Sequence, residues 1–172
     1  MALHEGFSKP ATFWPNAAEF AQDTKRIVIL PAQVEERNGE VIAGFRPDAQ
    51  ELRVNAASEG IEVELYAPDG ARLGVYREHA ADWILPTVLG IPISLATQLL
   101  ANLIQTRIDE WRERGAAGPE PEVRCGLAEI EDGNLRVRDL EGPAGEVRDI
   151  LRELAENAAS VRENSDDGED DD

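Results

Sequence analysis

Residues 83–106 read WILPTVLGIPISLATQLLANLIQT, a run without one charged side chain in a chain that is 30% charged. Its second part decides the fold. From Pro92 onward, Ala96, Leu99, Leu100, Leu103, Ile104, Ile108 and Trp111 recur at helical spacing and form one apolar face. Ser94, Gln98, Asn102, Gln105 and Asp109 follow each other at steps of four, four, three and four and form a polar face. Arg112 and Arg114 suit the negative end of a helix dipole, and Gly115 supplies a C-terminal cap. The first part is punctuated by Pro86, Gly90 and Pro92, which would break a continuous helix. Glu78 to Leu85 read as a short helix that Pro86 ends. A long amphipathic helix laid on a core therefore fits the run better than a membrane span, and membrane association through 83–106 stands as an alternative.

The segments on either side have a different period. Ile27-Val28-Ile29-Leu30 is a short apolar run of the kind buried strands use. Asn38-Gly39 separates Ala32–Arg37 from Glu40–Phe45, a two-residue hairpin signal because both central positions need positive φ. Leu52, Val54 and Ala56 alternate with polar neighbours, while Asp48 to Asn55 can equally begin a helix. Ile61, Val63 and Leu65 alternate with Glu62 and Glu64, and Pro68-Asp69-Gly70 turns into Arg72–Tyr76. Beyond the long helix, Val123, Cys125 and Leu127 alternate up to Asp132-Gly133, which turns into Leu135 and Val137. After Gly142-Pro143, Val147, Ile150, Leu151, Leu154, Ala155 and Ala158 return to helical spacing. The expected fold class is α+β: a mostly antiparallel β-meander, a long amphipathic helix, a β-hairpin and a closing helix. Residues 1–24 are expected to be an aromatic-bearing arm, 25–159 a single domain and 160–172 a disordered acidic tail.

Charge narrows the function classes. The chain of 172 residues has 35 Asp+Glu against 17 Lys+Arg, a net charge of −18. Residues 162–172 hold seven acids and one arginine, so 6 of the 18 negative charges sit in the tail. A surface of this sign repels phosphate and argues against nucleic acid as a partner. Glu62 and Glu64 read as the solvent side of a strand or as part of an anionic face. Arg72, Arg77, Arg124, Arg136 and Arg138 interrupt such a face, which weakens mimicry of nucleic acid. A single cysteine rules out an internal disulfide, and His4, Glu5 and Lys9 break any apolar leader, so the expected compartment is the cytoplasm.

Chemistry is sparse. Cys125 alternates with core residues and reads as a small hydrophobe, and His4 and His79 have no catalytic neighbour in sequence. Neither a G-x-S-x-G nor a phosphate-binding glycine motif is present, and the Asp132-Gly133-Asn134 stretch lacks the glycine and glutamate of a calcium loop. No catalytic residue, cofactor or metal ligand is assigned, and the expectation is a non-enzyme. The candidate interface residues are Phe13, Trp14 and Phe20 of the arm, whose rings supply contact area, and Ser94, Gln98, Asn102 and Gln105 of the uncharged helix.

From Trp83 to Ala158, the uncharged helix, the loop, the hairpin Val123–Leu140 with Asp132-Gly133, and Gly142-Pro143 leading a closing helix resemble the effector-associated constant-component modules of bacterial conflict systems. The resemblance covers under half the chain and rests on element order; it carries over no site residue. It implies a non-enzymatic adaptor or regulator that works by binding another protein, with a homo-oligomer as one form of assembly. An acidic inhibitor or immunity-type protein that caps a basic partner is the alternative.

Overall fold

The computed structural model describes residues 2–4, 26–77, 82–91, 93–131 and 133–166. Phe13, Trp14, Phe20 and His79 lie outside these residues. In chain order the elements are β1 (Ala2–His4), β2 (Arg26–Leu30), β3 (Gln33–Arg37), β4 (Glu40–Phe45), α1 (Ala49–Ser58), β5 (Val63–Leu65), β6 (Arg72–Val75), β7 (Trp83–Ile91), α2 (Ile93–Glu113), β8 (Glu122–Glu131), β9 (Asn134–Pro143) and α3 (Ala144–Asp166). The fold is α+β, as the periodicities predict. A six-stranded sheet has the order β1-β9-β8-β7-β2-β5, and a three-stranded sheet has the order β3-β4-β6.

The pairings follow from the connections. Asn38 (φ 52°) and Gly39 (φ 79°) both take the left-handed conformation, the tight turn that joins β3 and β4 antiparallel. β8 and β9 pair antiparallel through the turn at Gly133 (φ 76°). β2 with β5, β4 with β6, and β7 with β8 are parallel, each joined by a crossover longer than any hairpin. α2 is the crossover from β7 to β8, and α1 lies in the crossover from β4 to β6.

The main core lies between the large sheet and the three helices. α2 contributes Ala96, Leu99, Leu100, Leu103, Ile104 and Ile108, and α3 contributes Ala144, Val147 and Leu151. The sheet answers with Ile27, Ile29, Leu85, Val123, Cys125, Leu127 and Leu140. Burying side chains of the Leu and Ile class contributes about 1.5–3 kcal/mol each, so this seam is the largest stabilising term in the fold. On the opposite side of the sheet Val28, Leu30, Leu89 and Ala128 form a second buried cluster with Tyr66, Ile130, Leu135 and Val137 against it. β2 is thus covered on both faces, which is why it reads as a continuous apolar run.

One open local reading is settled and one is corrected. Residues 49–58 form a helix instead of continuing the strand alternation. Ala49, Leu52 and Ala56 are the buried positions, spaced three and four apart, and Val54 is left exposed. The helix closes at Gly60 (φ 75°), with the Ile61 N–H donating to the Ala56 carbonyl (2.9 Å). The short helix expected to end at Pro86 is not formed from residue 83 onward, where β7 runs through Pro86 to Ile91. The strand tolerates the proline because the β7–β8 register shifts between Ile84 and Thr87, so no ladder donor is lost there. The uncharged run is therefore one inner strand plus one helix, and among the described residues no helix is long and apolar enough to cross a membrane. At the other end α3 continues through Asp166, beyond the boundary expected at 160; residues 167–172 lie outside the described ones.

Candidate interaction surface

The smaller sheet builds an apolar surface that the core only half covers. β4 and β6 run parallel with Ala43 beside Leu73 and Phe45 beside Val75. Neighbouring residues in register point to the same side of a sheet, so these four side chains form one apolar face. Ala43 and Phe45 lie under the core, whereas Leu73 is 54% exposed and Val75 67% exposed. Together with Val54 they are the exposed large hydrophobic residues among those described. Apolar surface left open at a sheet edge in this way is a mark of an interaction site.

A groove of about 230 Å³ runs along this edge. Phe45 and Ala49 are buried at its base, and Leu65 of β5, Gln50 of α1 and Leu73 and Val75 of β6 line its walls. Val54 stands one turn beyond Gln50 on α1. The lining also includes Arg46, Pro47 and Gly74 but no carboxylate, although the chain has 35 acids. Residues 71–77 likewise hold Arg72 and Arg77 and no acid. Both arginines are exposed and make no ion pair among the described residues. Arg46 is buried and donates from Nη1 to the Leu85 carbonyl (2.6 Å), tying the base of the groove to β7.

Elsewhere several arginines are paired with acids. Arg107 of α2 bridges Asp48 (2.8 Å) and Glu51 at the start of α1. Arg26 pairs with Glu64 across β2 and β5. Arg138 meets Glu129 (2.9 Å) and Arg124 meets Asp139 (3.8 Å) on the β8–β9 hairpin. A second cleft, about 250 Å³, is lined by Pro47, Asp48, Arg77, Asp82, Trp83, Ile84 and Arg107. Two of its polar groups are already used internally: Arg107 as above, and Asp82, whose Oδ2 accepts the Glu122 N–H (2.9 Å). Cys125 sits fully buried on β8, and loss of water around it pushes its thiol up to about 12, partly offset by Arg46. A thiol held neutral in this way is a poor nucleophile. Among the described residues no group of three His, Cys, Asp or Glu side chains is placed to hold a metal ion.

The polar stripe of α2 lies as its spacing predicts. Gln98 and Asn102 are exposed and Ser94 is half-buried. Gln105 is the exception in its chemistry: its Oε1 accepts from Arg148 of α3 (2.8 Å) and its Nε2 donates to Asp109 (2.8 Å). One end of the stripe is thus stitched to a neighbouring helix, and the open part is Gln98 with Asn102. Sequence reading passed over Leu73 and Val75. Their segment reads as a strand, but their exposure follows from β6 being the last strand of the small sheet. The local signal for the site was the acid-free stretch 71–77 in an acidic chain.

No family model matches the chain, and no solved structure matches it.

Proposed function

We propose that the chain is a non-enzymatic protein-interaction module, an adaptor or regulator in a bacterial multi-protein system, that docks a partner in the groove between α1 and β6. The observation that carries this reading is the exposed, acid-free apolar edge formed by Leu73 and Val75. The element order of 83–158, with α2, a loop, the β8–β9 hairpin and α3, supports the kinship with constant-component modules on which the adaptor role rests. Cys125, buried and held neutral, is a poor nucleophile. The inhibitor alternative has less support, because Glu64 of β5 and Glu129 and Asp139 of the hairpin are each paired with an arginine, which interrupts an anionic face.

The experiment is affinity capture with the full chain from a native lysate, comparing wild type with Leu73→Arg/Val75→Glu. Both side chains are exposed, so the double variant should keep the far-ultraviolet circular dichroism of the parent. Loss of the captured protein in the variant is the expected result. Capture at wild-type yield by a folded variant would place binding elsewhere.

A further inference from the structure

We infer that β6 is a self-complementary edge whose occupant is β6 of a second copy of this chain, paired antiparallel about a two-fold axis at Gly74. This rests on the interaction reading above, in that both use the β6 edge, and it names the occupant of the main-chain side. The backbone supplies the first argument. β6 ends the three-stranded sheet, with β4 on one side and no strand on the other among the described residues. The Tyr76 N–H donates to the Phe45 carbonyl (2.7 Å), so residues 72, 74 and 76 turn their main-chain groups to β4. Leu73 and Val75 turn theirs to the open side. Pairing about Gly74 sets Leu73 opposite Val75 of the second copy and Val75 opposite its Leu73. Every outward N–H and C=O of the four-residue strand then has a partner. Pairing about Leu73 or Val75 instead sets the other outward residue against position 71 or 77, outside the strand.

The side chains supply the second argument. In the Gly74 register the exposed Leu73 and Val75 meet each other across the axis on the groove side, and apolar pairs directly opposed in a sheet attract. On the other face Gly74 opposes Gly74, which leaves the axis clear. Arg72 comes opposite Tyr76 of the second copy, an aromatic ring in place of a second guanidinium. Two chains of net charge −18 repel, but 71–77 hold no acid, and beyond about 8 Å charges are largely screened at physiological salt. β3, the other edge of the same sheet, differs: Glu35, Glu36 and Arg37 occupy it, and charges of this kind guard an edge against pairing. The Arg-Leu-Gly-Val of β6 holds no acid and no proline. A second copy thus continues the small sheet through the axis and brings the two grooves side by side.

The test is disulfide trapping of the full chain. A four-residue strand pair buries less than the about 1,200 Å² of a stable interface, so the dimer is weak and trapping suits it. Gly74 faces Gly74 at a non-hydrogen-bonded position, where opposed Cα atoms lie about 4.5 Å apart, within the span of a disulfide. A Cβ at Gly74 meets only Ile42 Cγ2, at an ordinary 3.5 Å, so Gly74→Cys keeps the fold. Under mild oxidation Gly74→Cys should form a covalent dimer. Arg72→Cys, about 13 Å along the strand from its own mate, should stay monomeric. Wild type, whose Cys125 is buried, is the blank. With Gly74→Cys added, Leu73→Glu/Val75→Glu and Leu73→Arg/Val75→Arg should each fail to crosslink alone and should crosslink when mixed. A monomeric Gly74→Cys, equal crosslinking of Gly74→Cys and Arg72→Cys, or charge variants that stay monomeric when mixed would overturn the proposal. Leu73→Arg/Val75→Glu sets each new arginine opposite a new glutamate, so it should still crosslink through Gly74→Cys. If Gly74→Cys stays monomeric while that variant abolishes capture, the docking surface stands and self-pairing falls. If crosslinking holds and capture survives the variant, self-pairing stands and the docking reading falls.

Discussion

Gly126 faces Thr87 across the parallel β7–β8 pair, and replacing it with alanine tests how tightly the large sheet is assembled. A Cβ built at Gly126 would lie 2.3 Å from Thr87 Oγ1 and 2.8 Å from both Thr87 Cβ and Cγ2. None of these atoms is the far end of a flexible chain. Thr87 is β-branched, buried and fixed on an inner strand beside the register shift at Pro86, so relief requires the strands themselves to move. Overpacking of this kind costs about 1–3 kcal/mol. In a chain of 172 residues each kcal/mol lowers Tm by about 2–4 °C, so Gly126→Ala should melt several degrees below wild type. The assay is a thermal melt of four proteins: wild type, Gly126→Ala, Thr87→Gly and the double variant. Thr87→Gly removes every clashing atom, so the double variant should be more stable than the two single losses added together, with a coupling of about 1 kcal/mol or more. A Gly126→Ala protein that melts with wild type, or strict additivity in the cycle, would refute the close approach of these two strands.

Further expectations concern the core, the thiol and the helix starts. Leu100→Ala, at a fully buried position of α2, should cost about 2–5 kcal/mol in chemical denaturation, while Gln98→Ala on the exposed stripe should change little. Cys125 is expected to resist thiol reagents in the native protein and to react once unfolded, because burial keeps it protonated. Its folded value is raised from 9.0 to about 12, so the stability it contributes is complete below pH 9 and is lost as pH rises toward 12. The alkaline fall in Tm should therefore be shallower in Cys125→Ala than in wild type. Glu120 Oε1 accepts the Gly145 N–H (2.8 Å) at the start of α3, so Glu120→Ala should lower stability by about 0.5–2 kcal/mol in a urea melt.

The parts of the fold that were legible in sequence are those whose signal is local. α2 repeats its apolar residues over more than four turns, and no strand can match that period. Asn38-Gly39 marks a turn because few other pairs accept two positive φ values. α1 was ambiguous because it buries only Ala49, Leu52 and Ala56, and the sequence Leu52, Val54, Ala56 satisfies period two as well as the helix. β7 was misread because Pro86 is a strong helix stop, whereas a proline at a register shift is set by the neighbouring strand β8. The candidate surface was hidden for a related reason. Whether Leu73 and Val75 are core or edge depends on whether another element packs on β6, and that is settled by tertiary packing. The α2 stripe was visible because amphipathicity is written along one helix, and Gln105 differs from Gln98 through its bonds to Asp109 and to Arg148, the latter 43 residues away.

Hydrogen exchange of the full chain, alone and in complex with the protein it captures, tests the docking site most directly. Protection should concentrate in residues 71–77 and along α1 from Ala49 to Val54, with α2 unchanged. Protection confined to Ser94, Gln98 and Asn102, with 71–77 exchanging as in the free chain, would contradict the assignment of the β6 edge.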